Sequence, residues 1–126
     1  MPKQISTPEN AIKIAKTLLQ DKYKEHCIGL YLNTRNKITK AEIISIGTLD
    51  ANMVHPREVF RSAIVSHSAG IILLHNHPSG DANPSSADNA ITEQLEKAGK
   101  ILGIELLDHI IFTDKDFYSY NKNNLI

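Results

Sequence analysis

Polar and apolar positions along the chain change period several times, and each change marks an element. Ala11, Ile12, Ala15, Leu18 and Leu19 recur at helical spacing. Thr7-Pro8-Glu9 ahead of them reads as a helix start, with Thr7 as N-cap and Pro8 in the first turn. Cys27 to Leu32 and Ile38 to Ile46 are strand-like, and the turn formers Asn33-Thr34-Arg35-Asn36 between them predict an antiparallel hairpin. His55-Pro56-Arg57-Glu58 opens a second helix, with Val59, Phe60, Ala63 and Ile64 on its apolar side. Gly70 to His75 is apolar on both faces, as a central strand covered by helices must be. Turn residues fill Pro78 to Pro84. A helix from Ser85 to about Leu102 follows, with Ala87, Ile91, Leu95, Ala98 and Leu102 inward and Gly103 as C-cap. Ile104 to Phe112 and Phe117 to Tyr120 complete the order α-β-β-α-β-α-β-β. That order predicts a three-layer α/β domain on a mixed sheet, because the crossover through the third helix should join parallel strands.

Composition narrows the class. A chain of 126 residues suits a single domain spanning 1–126. Fourteen acidic and fourteen basic side chains cancel, which argues against a general nucleic-acid or acidic-membrane binder. The lone cysteine, Cys27, rules out an internal disulfide and fits a reducing compartment; in an apolar strand it reads as a small buried hydrophobe. The apolar runs are too short to span a bilayer, and Met1-Pro2-Lys3-Gln4 lacks a signal-peptide core, so a cytoplasmic protein without membrane contact is expected.

The chemistry concentrates after the Gly70 strand. His75 and His77 are two apart, so on a strand both imidazoles face the same way. The proline at 78 favours extended backbone at His77. Asp88 falls in the first turn of the next helix, where the macrodipole favours its anion. Two imidazoles and a carboxylate supply three ligands, leaving a fourth position for water at a catalytic zinc; non-haem iron takes a similar set. Glu42 shares strand parity with Ile44 and is the candidate proton acceptor. Ser85 could donate to an oxyanion, yet Ser85-Ser86-Ala87-Asp88 is equally a capping box, and Asp88 is not expected to serve cap and metal fully together. Asp108-His109 is either a strand pair with one side chain exposed or support for a metal ligand. Asp81 and Ser79 read as loop formers, His55 as a helix-start residue, and His26 and His67 carry no signal.

Glu42, then His75-Asn76-His77-Pro78, then Ser85 and Asp88, resembles the JAMM signature of JAB/MPN metalloproteases. The blocks Ile46–Leu49, Val54–Phe60, His75–Asp81 and Leu107–Ile111 look like its RadC-like branch, and the likeness runs from about residue 5 to the C-terminus. The resemblance implies a JAB/MPN fold related to the cytidine-deaminase-like architecture. It implies zinc on His75, His77 and Asp88, Glu42 as general base, and Ser85 near the oxyanion. It implies hydrolysis of a peptide or isopeptide bond in a peptide or protein substrate. The branch bears the label "DNA repair protein", and its fuller members carry an N-terminal segment resembling a helix-hairpin-helix module, with which this chain is not expected to begin. The alternative expectation is a non-catalytic or nucleic-acid-associated accessory role in repair or mobile-element biology, which zero net charge disfavours.

Overall fold

The computed structural model describes residues 4–48 and 54–126. Met1–Lys3 and Leu49, the last residue of one block named above, lie outside the described residues. Helices α1 (Pro8–Leu18), α2 (Pro56–Val65) and α3 (Ser86–Leu102) surround strands β1 (His26–Leu32), β2 (Ile38–Ile46), β3 (Gly70–Asn76), β4 (Glu105–Phe112) and β5 (Phe117–Ser119). The sheet runs β2-β1-β3-β4-β5; β3 and β4 are parallel, and the other neighbours are antiparallel. This is the mixed three-layer α/β arrangement that the pattern predicts.

The layers follow from strand parity. Cys27, Tyr31, Ile71 and Leu73 face one way and pack with Val59, Phe60, Ile91 and Leu95 from α2 and α3. Ile28, Leu30, Ile72 and Leu74 face the other way onto Ala11, Ile12 and Ala15 of α1. β1 and β3 are therefore buried at every position, whereas edge strand β2 is only half-buried. Each large aliphatic side chain enclosed in this way contributes roughly 1.5–3 kcal/mol of transfer free energy.

The caps form as expected. Thr7 accepts from the Asn10 amide in a capping box, and Gly103 ends α3 at φ 72°, a left-handed conformation that glycine adopts without a Cβ clash. Two inward assignments fail. Ile64 is 56% exposed and Leu102 49%, because the core closes at Phe60 and Leu95 and these residues line an open groove between α2 and α3. Among the described residues no helix is long and apolar enough to cross a membrane.

Candidate metal centre

β3 delivers His75 and His77 to its open end, on the face covered by α3. The loop after Pro78 then returns the chain so that the first turn of α3 meets both rings. His75 Nδ1 lies 2.9 Å from Asp88 Oδ1, and His77 Nε2 lies 3.3 Å from Asp88 Oδ2. The rings stand edge to face with centroids 4.7 Å apart. Asp88 is fully buried. Burial alone would raise its pKa, but hydrogen bonds from His75, His77 and the Ser85 amide outweigh that and hold it far below the ordinary carboxylate range.

Partner chemistry sets the tautomers. The Asp81 carbonyl, 2.8 Å from His77 Nδ1, can only accept, so Nδ1 carries a proton; Nε2 then donates to Asp88 in the protonated ring and presents a lone pair to it in the neutral one. His75 donates through Nδ1 to Asp88 in the same way, leaving its Nε2 as acceptor. That Nε2 is buried and has no hydrogen-bond partner. A lone pair facing a carboxylate calls for a cation between them. A proton answers part of that need, since the Asp88 hydrogen bond raises the His77 pKa. A metal ion answers it for both rings. Ligand atoms about 2.0–2.1 Å from a tetrahedral zinc stand roughly 3.3 Å from each other, the separation found between His77 Nε2 and Asp88 Oδ2. His77 also has the oriented second nitrogen typical of metal-ligating histidines, held by the Asp81 carbonyl. The donor set around the two rings fits a metal ion.

A second carboxylate completes the cluster, and it is not Glu42. Glu25 Oε2 lies 3.9 Å from His75 Nε2, and Glu25, His75 and His77 each offer a ligand atom within 4.8 Å of the others. Register explains the approach. Cys27 pairs with His75, so the turn leading into β1 ends beside the open end of β3. Asn76, facing away from the imidazoles, fastens that turn: its Oδ1 accepts from His26 N and its Nδ2 donates 2.9 Å to Lys24 O. His26 Nδ1 donates to the same carbonyl, and its Nε2 accepts from Gln20 N. Sequence reasoning missed Glu25, His26 and Asn76; the visible signal was a polar residue between two histidines at the end of a buried strand.

Glu42 occupies a different position on the same sheet face. It pairs with Gly29, which pairs with Leu73, two residues short of His75 and two strands away from it. Its carboxylate accepts 3.1 Å from Tyr31 Oη and stands 3.2 Å from Lys40 Nζ. Partial burial would raise its pKa, but hydrogen bonds from Ser62, Lys40 and Tyr31 bring it below the ordinary value. Ser85 forms the helix cap: its hydroxyl donates 2.9 Å to Asp88 Oδ2 and accepts 3.1 Å from the Asp88 amide. Asp88 thus meets the cap through Oδ2 and the rings through both oxygens. Asp108 and His109 are both buried. Asp108 accepts from Ser119 Oγ and the Asn121 amide, bracing the chain after β5. His109 bonds Thr92 of α3 at 2.6 Å, and Thr92 donates 2.7 Å to the Asp88 carbonyl, so this histidine braces the turn that carries Asp88.

The family profile of the RadC-like JAB domain matches residues 5–125, nearly the whole chain. The chain belongs to the RadC-like JAB domain family. Its relatives are spread across bacteria and archaea. A UPF0758 protein of Methanosarcina mazei is 45% identical over 124 residues, covering 98% of this chain and 54% of the relative. A UPF0758 protein of Shouchella clausii is 51% identical over 115 residues, covering 91% and 50%. One from Methanococcoides burtonii is 56% identical over 103 residues, covering 82% and 45%. This RadC-like JAB domain thus spans about half the length of the relatives it matches. The JAB likeness accords with a metal cluster at the β3 terminus; it names no substrate.

Proposed function

We propose that this domain is a zinc-dependent hydrolase of amide-type bonds in peptide or protein substrates. The observation that carries the reading is that Glu25, His75 and His77 each offer a ligand atom within 4.8 Å of the others, around a buried His75 Nε2 that no protein group satisfies, with Asp88 against both rings. His75, His77 and Asp88 would hold the ion, which when bound supplies Lewis acidity and a water of lowered pKa. Glu25 is the acid–base residue of this reading. It is 28% exposed, so it reaches both solvent and the His75 edge, and its backbone is fixed by the Asn76 and His26 hydrogen bonds. A carboxylate so placed can take a proton from an attacking water and return it to a leaving amine. Glu42, held by Tyr31 and Lys40, is assigned to stabilising the β1–β2 hairpin. Ser85 holds the start of α3, keeping Asp88 in place.

Metal analysis of purified protein tests this first. Near-stoichiometric zinc, lost in His77→Ala, is expected. Glu25→Gln should retain the zinc and lose hydrolysis of quenched fluorogenic peptide libraries, while Glu42→Gln should keep both. A wild-type protein that takes up no zinc under replete conditions overturns the reading.

A further inference from the structure

Beside His77 opens a cavity of about 700 Å³, bounded by the end of α1, the turn before β1, the loop after β3 and the β4–β5 turn. Its charge is unlike that of the chain as a whole. Lys16, Lys22 and Lys115 line it against a single acid, Asp114, although the full sequence is neutral. The lysine ion pairs found among the described residues join Lys40 to Glu42, Lys97 to Glu93 and Lys100 to Glu96, none of which lines this cavity. Three lysines gathered on one concavity repel each other, and nothing in the fold requires them there, since all are exposed. Leu19, Pro78 and Phe112 give the same cavity an apolar wall. Tyr23, 77% exposed, stands at its side with Lys22 Nζ 5.3 Å from the ring centroid.

We infer that this cavity is the subsite that receives the substrate, and that its ligand is an acidic stretch of polypeptide carrying an apolar side chain. The inference rests on the hydrolase reading, because the cavity gains its meaning from reaching His77. An apolar wall takes the side chain, and the lysines meet the flanking carboxylates. Three lysines with one opposing acid are too few to neutralise the closely spaced phosphates of a nucleic-acid strand, which require a charge partner at many successive positions. A peptide with a few acidic side chains matches them.

The test is fluorescence anisotropy with the zinc-loaded protein and three labelled ten-unit probes. One is a Glu/Asp peptide with a central leucine, one replaces its acids by lysine, and one is oligo-dT. Zinc content is measured on the same samples. The acidic peptide is expected to bind at least tenfold tighter than the other two. Its affinity should fall as salt rises and drop at least tenfold in the Lys16→Glu/Lys22→Glu/Lys115→Glu variant. The Lys→Arg triple should retain it. Equal binding of the basic peptide, tighter binding of oligo-dT, or indifference to the charge reversal overturns the inference. Binding requires no turnover, so the two readings fail separately. Zinc uptake without acidic-peptide binding removes the subsite alone, and peptide binding without zinc removes the hydrolase alone.

Discussion

His109 should make this domain acid-sensitive by an amount that can be worked out. The Thr92 hydroxyl spends its one proton on the Asp88 carbonyl, so it must accept from His109 Nδ1–H. His109 Nε2 is then the acceptor nitrogen, buried and without any partner, and the ring lies stacked on Tyr120 with centroids 4.9 Å apart. Protonating Nε2 would place a charge where nothing solvates it. Burial accordingly pushes the His109 pKa down to about 3, against about 6.5 for an unfolded histidine. As pH falls the unfolded chain takes up this proton first. The contribution is complete above pH 6.5 and is lost progressively toward pH 3. Between pH 7 and about pH 4.5 one such site drains about 2.5 kcal/mol from the folding free energy. Urea unfolding at both pH values, in chelator to remove metal linkage, should show wild type losing about that much more than His109→Gln. Absolute stabilities of the two proteins will differ through packing; the difference between their pH dependences isolates the titration. Equal losses in the two proteins would refute the assignment of a neutral, desolvated ring.

Three further outcomes follow from contacts described above. Tyr31→Phe removes a hydrogen bond to the Glu42 carboxylate and should cost roughly 1–2 kcal/mol in urea melts while leaving zinc content unchanged. Gly99→Ala would drive a Cβ into the Ile104 carbonyl oxygen beneath α3, backbone that cannot step aside, and should lower stability by roughly 2 kcal/mol or more. Cys27 is buried and its thiol is pushed up to about 12 by that burial, so Ellman's reagent should find no reactive thiol in the native protein and one equivalent after denaturation.

Much of this architecture is legible in the sequence, for local reasons. Period changes locate all eight elements, and Thr7, Ser85 and Gly103 sit at helix ends because their side chains, or the lack of one, suit those positions. His75 and His77 are legible because strand parity is a local rule. Glu25 is not, because in sequence it belongs to the charged run Asp21–Glu25 and looks like a solvated turn. Its meeting with His75 depends on β1 pairing with β3, a long-range choice that hairpin signals do not disclose. Glu42 shows the converse. Parity assigns its face correctly, since Ile44 packs into the core under α2 and α3, but parity carries no information about distance along or across a sheet. The roles of Asn76 and His26 depend on the same β1–β3 pairing.

Consider how the backbone apportions the four convergent groups. His75, His77 and Asp88 all belong to one β3–loop–α3 unit only fourteen residues long, whereas Glu25 arrives from the opposite direction at the mouth of β1. In the proposed chemistry, anchorage and reactivity therefore have separate structural addresses. A change confined to the 20–25 turn can silence the protein while it still retains its ion, yielding an inert but fully assembled decoy. Damage to the crossover unit removes both properties together.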